Sequence, residues 1–382
     1  MIKMKITITA NSQISYTSMG GSDKILIELA KEWIKSGNEV KILGCGEAGK
    51  MCFNAGLGEY FQQISNFEVE KWGLLLSYGV RTLLAFFAGL RVKSGMIYSS
   101  SDFFPDLVYG FWQKILNKKL RWVSGLFLIA PKPLKSNYSN NIRGWLYFLF
   151  QRLALIIMRF KSDLIVVLCD EDKLFLEKMG IQKKKILTIS GGVDWEIINK
   201  TPRQKIKYEA IFVGRFHQQK GLFQLISAWK LVVKKMPLAR LAIVGWGDPT
   251  WIKKINFLIK KYCVSKNTDL LGFLDNKEKY RAIKSSKIFL FPSLYESWGI
   301  VVAEAMACGR PVVSFDMKVM KKFGGGVIKV EYANVQKFAE AVLNLLRNKK
   351  ILESVSREGF LISKKFLWEN SANKIIRSKW SL

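Results

Sequence analysis

Two carboxylates stand out in a chain that is short of them. Glu296 and Glu304 lie eight positions apart in PSLYESWGIVVAEAMACGRPVV, within a sequence of 382 residues that holds 30 acidic side chains against 61 basic ones. Glu296 falls in a turn after the strand-like run KIFLFPS, whereas Glu304 sits inside an apolar run that reads as a helix beginning at Gly299. The first amides of that helix, from Gly299 to Val301, find no partner within it and stand at the positive end of its dipole. Such an end holds phosphate. A carboxylate in the turn can accept hydrogen bonds from sugar hydroxyls, and one just over a turn into the helix can take a vicinal diol such as a ribose. Glu304 is flanked by VVA and AMA, so without a partner it would be a costly buried charge.

Two more loops that follow strands bear on the same chemistry. In VGRFHQQKG, residues 213–221, a strand ends at Gly214 and the loop before the next helix carries Arg215 and Lys220. Two cations there can clamp a diphosphate, Arg through planar bidentate bonds and Lys as a point charge; taken alone, the pattern also fits a solvated basic loop. VGWGDP, residues 244–249, is a turn whose glycines let backbone approach a ligand. It lacks the third glycine of a dinucleotide fingerprint and follows a late strand, which argues against NAD, and an ordinary tight turn reads equally well. The chain has one histidine, His217, so a His-based metal site or a Ser-His-Asp triad is nearly excluded. Asp170 and Asp172 in CDED form an Asp-x-Asp of the kind a metal-dependent transferase would need; they read instead as the acidic first turn of a helix.

The elements that must position these loops alternate between strand and helix, the pattern of a parallel sheet with crossovers. KMKITITA, NEVKILGC, GMIYSSS, LRWVSGLFLIA, SDLIVVLC and KKILTIS read as strands of a first lobe. NKTPRQKIKYEA interrupts with charge, polarity and a proline, marking a linker over 199–207 between lobes at 1–198 and 208–364. The alternation then restarts at YEAIFVGRF and runs through ARLAIVGWG, TDLLGFL, KIFLFPS and RPVVSFD. The expected fold is α/β, two doubly wound lobes with a cleft between them into which the strand C-termini point.

Composition bounds the partners. The formal net charge of +31 implies an anionic partner: nucleic acid, an anionic membrane or a phosphorylated small molecule. No nucleic-acid-binding signature accompanies the charge, and Lys written wherever a surface tolerates it gives the same excess. The apolar share of 49% and aromatic share of 13% exclude disorder. Five cysteines without CxxC spacing read as thiols of a reducing compartment. MIKMKITITANSQ turns polar too soon for a signal peptide, so a cytoplasmic protein is expected. Residues 72–90 and 144–160 are strongly apolar but carry Arg81, Arg152 and Arg159, which counts against membrane spans. Such helices suit either lying in the headgroup region of a membrane or burial against the sheet.

The Glu-x7-Glu block, with GRFHQQKG upstream, resembles the retaining glycosyltransferases of family 4, glycosyl transferases group 1, of the two-lobed, Rossmann-like GT-B fold. GGSDKILIELAKEWIKSGNEVKIL resembles that family's Gly-Gly loop and first helix, and TISGGVD its N-G-V-D turn. FLWENSANKII resembles its C-terminal helix, so 365–382 is expected to cross back to the first lobe. The resemblance implies that Arg215, Lys220 and Gly214 meet the diphosphate of a nucleotide-sugar, and that Glu304 binds the ribose. Glu296 with the amides of Trp298, Gly299 and Ile300 would hold sugar and phosphate; Gly272, Phe273 and Leu274 would line the base pocket; Gly20 and Gly21 would border the phosphates. The implied activity is retaining, metal-independent sugar transfer, without a cofactor, to a glycan or lipid-linked acceptor at the inner membrane face. Three positions depart from the pattern: Leu128 stands where many relatives have histidine, Gly191 where the asparagine of N-G-V-D stands, and His217 lies between the two cations where relatives vary. Asp102 is a candidate substitute for the missing histidine, or simply a helix N-cap. The departures leave open an inactive nucleotide-binding subunit, and the charge a nucleic-acid-binding protein.

Overall fold

The computed structural model describes residues 3–13, 20–67, 69–88, 92–133 and 142–378. Its contacts divide the chain into two units, one of 1–190 with 368–382 and one of 191–367. In the first, the strands are β1 (Lys5–Ala10), β2 (Glu39–Cys45), β3 (Phe61–Ser65), β4 (Met96–Ser99), β5 (Arg121–Gly125), β6 (Leu164–Val167) and β7 (Ile186–Thr188). Between them run the helices α1 (Gly21–Lys35), α2 (Gly46–Asn54), α3 (Val69–Trp72), α4 (Leu74–Phe87), α5 (Phe104–Leu116), α6 (Ile142–Lys161) and α7 (Asp170–Lys178). Among the described residues the strands pair in parallel in the order β3-β2-β1-β4-β5-β6-β7.

The second unit opens with α8 (Trp195–Lys200) and β8 (Tyr208–Val213), followed by α9 (Leu222–Lys235), β9 (Leu241–Val244), α10 (Pro249–Lys261) and β10 (Thr268–Gly272). It continues through α11 (Asn276–Lys284), β11 (Ser286–Phe291), α12 (Ile300–Ala307), β12 (Val312–Phe315), β13 (Val327–Val330), α13 (Val335–Arg347) and α14 (Lys349–Ser363). Its sheet is parallel with the order β10-β9-β8-β11-β12-β13. Both units are thus Rossmann-like, and central strands such as LIVV and LAIV are buried along their whole length, as a sheet covered on both faces requires. In a doubly wound sheet ligands gather where the strand order reverses. That point lies beyond β1 and β4 in the first unit and beyond β8 and β11 in the second.

Two strands and one boundary depart from the sequence reading. Strand β3, FQQIS, is an edge strand with two glutamines and no long apolar run, and β13 with α13 and α14 completes the second unit beyond the last strand expected. The division falls at 190/191, ahead of the linker expected over 199–207. Val193 N donates to Phe366 O at 3.0 Å and Lys284 Nζ to Ile198 O at 2.7 Å, so this segment is fastened within the second unit. Helix α15 (Trp368–Arg377) belongs to the first unit, where Trp33 Nε1 donates to Ala372 O at 3.2 Å and the Arg121 guanidinium to Ile376 O at 3.1 Å.

At the first unit's reversal point a buried carboxylate ties the two loops together. Asp106 is fully buried and accepts from the amides of Asn11 and Ser12 and the hydroxyls of Ser12, Ser100 and Ser101. Removing it orphans several buried donors, each costing about 1–3 kcal/mol. Asp106→Ala is therefore expected to lower the unfolding free energy by about 3 kcal/mol in denaturant titration; a loss under about 1 kcal/mol would show that the loops hold without it.

Candidate functional site

Loops after β8 and β11 close on each other at the second unit's reversal point. Gly221 has φ +67°, and a Cβ there would lie 1.8 Å from the carbonyl oxygen of Pro292. Only glycine allows that approach. Leu294 N donates to Gln219 O and Gln219 Nε2 to Tyr295 O, both at 2.8 Å. The same seam brings Lys220 Nζ to 2.6 Å from Glu296 Oε2, with both side chains less than one-fifth exposed. Arg215 is exposed at the mouth of the loop. His217 Nδ1 accepts from Gln219 N at 3.4 Å, and burial, then Arg215 and Lys220, push its pKa below the ordinary value of 6.5. A neutral imidazole with Nδ1 as acceptor is what the loop requires, so the histidine that had no assigned part positions the segment bearing Lys220.

The neighbouring loops are drawn in as well. Phe216 N donates to Trp246 O at 2.8 Å, Gly214 N to Val244 O at 3.0 Å, and Gly245 N to Gly272 O at 2.8 Å. Gly245 has φ +144°, and a Cβ on it would meet Gly214 O at 1.9 Å. The G-x-G of VGWGDP therefore serves close packing of loops, beyond an ordinary turn. Behind Gly272, Phe273 is exposed and Leu274 half-buried; Trp246, which sequence reasoning did not single out, is also exposed. Two exposed aromatic rings thus stand on adjacent loops at the C-terminal ends of β9 and β10.

Helix α12 begins as expected, with Gly299 as N-cap in the left-handed region at φ +89° and its carbonyl accepting from Val302 N at 2.9 Å, ahead of the amide of Ile300. Trp298 is buried edge-on against Phe323 and Phe366, at centroid separations of 5.4 and 5.0 Å. Its indole explains Gly191: a Cβ at 191 would lie 2.7 Å from the Trp298 ring, leaving no room for asparagine.

Glu304 is fully buried, and its charge is balanced. Oε2 lies 2.9 Å from Lys279 Nζ, and Oε1 accepts from Tyr280 OH at 2.9 Å. Burial and the Glu304 charge hold the Tyr280 phenol well above its ordinary pKa, so it stays a donor. Neither Lys279 nor Tyr280 was legible as a site residue. They lie 25 and 24 positions away on α11, and only the need of a buried carboxylate for a cation signalled that such a partner exists.

In the first unit, Gly20 and Gly21 stand at the start of α1, with Gly20 N donating to Asp23 Oδ2 at 2.6 Å. Asp102 is not the N-cap of α5; Phe103 holds that place. The Asp102 carboxylate is buried, which raises its pKa from 3.8 to about 6, and accepts from Gln151 Nε2 at 2.8 Å. The same Nε2 donates to Leu128 O at 2.8 Å, so the two positions in question after β4 and β5 are bridged by one amide of α6. Asp170 and Asp172 open α7, as the acidic-first-turn reading has it.

Residues 193–361 match the family model described as glycosyl transferases group 1. The match lies within the second unit, 191–367. Over 183 residues, 47% of this chain and 26% of the other, it is 27% identical to the poly(glycerol-phosphate) alpha-glucosyltransferase of Bacillus subtilis. Among such curated relatives the matched stretch spans 26% to 52% of their length. Its fold is the two-lobed GT-B class. It superposes on Anabaena HepE, solved with UDP and glucose, over 98% of both chains with a TM-score of 0.73 and 16% identity. On an S. aureus TarM mutant, solved with UDP, alpha-GlcNAc-glycerol and fondaparinux, the figures are 98% of this chain, 99% of that one, 0.75 and 15%.

Breaking a buried ion pair from one side strands the other charge at a cost of about 3–5 kcal/mol. Lys279→Met is accordingly expected to lower stability by about 3 kcal/mol, and Lys279→Met with Glu304→Gln to regain at least half of it. A single variant that melts like the parent would mean that the pair does not hold α11 to α12.

Proposed function

We propose that the protein is a retaining, metal-independent glycosyltransferase that moves a sugar from a nucleoside diphosphate to a glycan or lipid-linked acceptor at the cytoplasmic face of a membrane. The observation that carries this reading is the Lys220–Glu296 pair, held at the reversal point of a doubly wound sheet beside the N-terminus of α12. It is supported by the family match over 193–361. As the glycosidic bond breaks, negative charge builds on the departing diphosphate. Lys220 and the amides of Gly299 and Ile300 are donors held in place before the reaction, with Arg215 exposed on the same loop as Lys220, so they stabilise that charge with little reorganisation; comparable donors in oxyanion holes are each worth about 10²–10³ in rate. Glu296, already beside Lys220, accepts hydrogen bonds from the sugar and keeps the ammonium aimed at the phosphate. The base rests between Trp246 and Phe273, where aromatic faces suit stacking. Its ribose hydroxyls bind at Glu304, whose carboxylate keeps Lys279 and Tyr280 as partners. UDP is the favoured nucleotide, since both structural neighbours named above were solved with it.

An acceptor rich in phosphate, as the name of the Bacillus subtilis relative describes, also fits a chain of net charge +31. The second reading, a nucleotide-binding subunit without turnover, is favoured by Leu128, an aliphatic side chain where many relatives have histidine.

Thermal shift with UDP, GDP and ADP reads nucleotide binding directly, because a ligand of the native state raises its melting temperature. With UDP-sugars as donors, Lys220→Ala is expected to cut turnover at least tenfold while the protein stays folded. Undiminished turnover would overturn the diphosphate role, and a UDP shift without turnover in the parent protein would select the second reading.

A further inference from the structure

The outward faces of α4 and α6 are apolar where a helix at a protein surface is ordinarily polar. On α6 the exposed side chains run Ile142, Trp145, Leu149, Leu153, Ile156 and Phe160, spaced by three or four residues along one stripe. Its opposite face is committed to the core, with Ala154, Leu155 and Met158 buried. Helix α4 adds Leu76, Leu83 and Phe87, all more than half exposed. Both helices pack on α5, and they meet where Tyr78 of α4 stacks on Phe150 of α6 with ring centroids 5.7 Å apart and planes 6° from parallel. Their exposed apolar side chains are together more than the isolated hydrophobic residues every protein shows.

The charge of this face selects the occupant. From residue 71 to 162 the sequence carries 14 Lys and Arg but only two acidic residues, Asp102 and Asp106, both buried. The surface therefore presents no carboxylate from this stretch, while Arg159 and Lys161 flank the end of the α6 stripe. A second copy of the chain would bring the same positive charge against it. An anionic bilayer supplies the opposite charge and an apolar phase for the stripe, the two terms that bind interfacial helices. No described helix is long and apolar enough to cross a membrane, and α6 is already half-buried in its own unit, so the contact is with the interface.

We infer that the α4–α6 face is a membrane-docking surface that seats its apolar stripe in the headgroup region of anionic lipid. This rests on the proposed reading of the protein as a transferase working at a membrane, and names the part of it that meets lipid. Gln151 of α6, which bridges Asp102 and Leu128 from the inner side of the same helix, ties the loops after β4 and β5 to the docked element.

The full chain is tested by co-sedimentation with vesicles of phosphatidylglycerol and phosphatidylcholine mixed, and of phosphatidylcholine alone. Binding to the mixed vesicles is expected to be at least tenfold tighter than to the neutral ones, and to weaken as salt is raised. Leu149→Glu with Leu153→Glu should reduce it at least tenfold, with the melting temperature and its UDP-induced shift unchanged; Leu153→Gln alone should give a smaller loss if the double variant unfolds. A parent protein that stays in the supernatant, as monomer or as dimer, would overturn the inference, as would a folded double variant that binds like the parent. The UDP shift is read in the same samples, so failure of the transferase reading and failure of the docking surface are separate results.

Discussion

The second unit turns on the approach of residue 221 to the carbonyl of Pro292. Because no side chain fits between them, the loop after β8 lies against the loop after β11, and the backbone bonds between Gln219, Leu294 and Tyr295 follow. Lys220 and Glu296 are then held within hydrogen-bonding distance by residues that are not themselves charged. A surface ion pair contributes little and wanders; this one is oriented because its backbone is, and orientation is what a preorganised anion site requires. His217 extends the same logic, since burial keeps it neutral and lets it brace the loop without adding a third charge.

A second charged pair has a different task. Lys279 and Glu304 are more deeply enclosed than Lys220 and Glu296, and together with Tyr280 they join α11 to the middle of α12. The helix N-terminus beside Trp298 is thereby fixed from behind, while Phe323 and Phe366 fix the indole from the side. The donor amides of α12 keep their direction because the helix is braced ahead of its start and at its middle. Trp298 also accounts for Gly191: an indole occupies the space that an asparagine side chain would need, so the departure from the family's turn is a steric exchange between two residues of one unit.

What the sequence revealed, and what it hid, follows from distance along the chain. Strands covered on both faces are continuous apolar runs, so LIVV and LAIV were legible, whereas FQQIS carries its glutamines because it lies at an edge. The Glu-x7-Glu block and the Arg215 and Lys220 loop were legible because strand, turn and helix succeed one another locally. The partners of Glu304 were not, because nothing in the spacing of KEKYRAIK ties it to a carboxylate two elements later. Residues 199–207 read as a linker by composition, yet Lys284 fastens that segment from far away in sequence. Asp102 read as a substitute for the missing histidine or as a helix cap, but the bond that holds its carboxylate comes from Gln151 across 49 positions.

The central physical claim is that fixed cations and peptide dipoles neutralise the leaving nucleotide. Sugar release from a UDP-sugar by the purified protein, measured with and without excess EDTA, tests it most directly. The account gives equal rates in the two samples; a rate that collapses with chelator and returns on adding a divalent cation would contradict it.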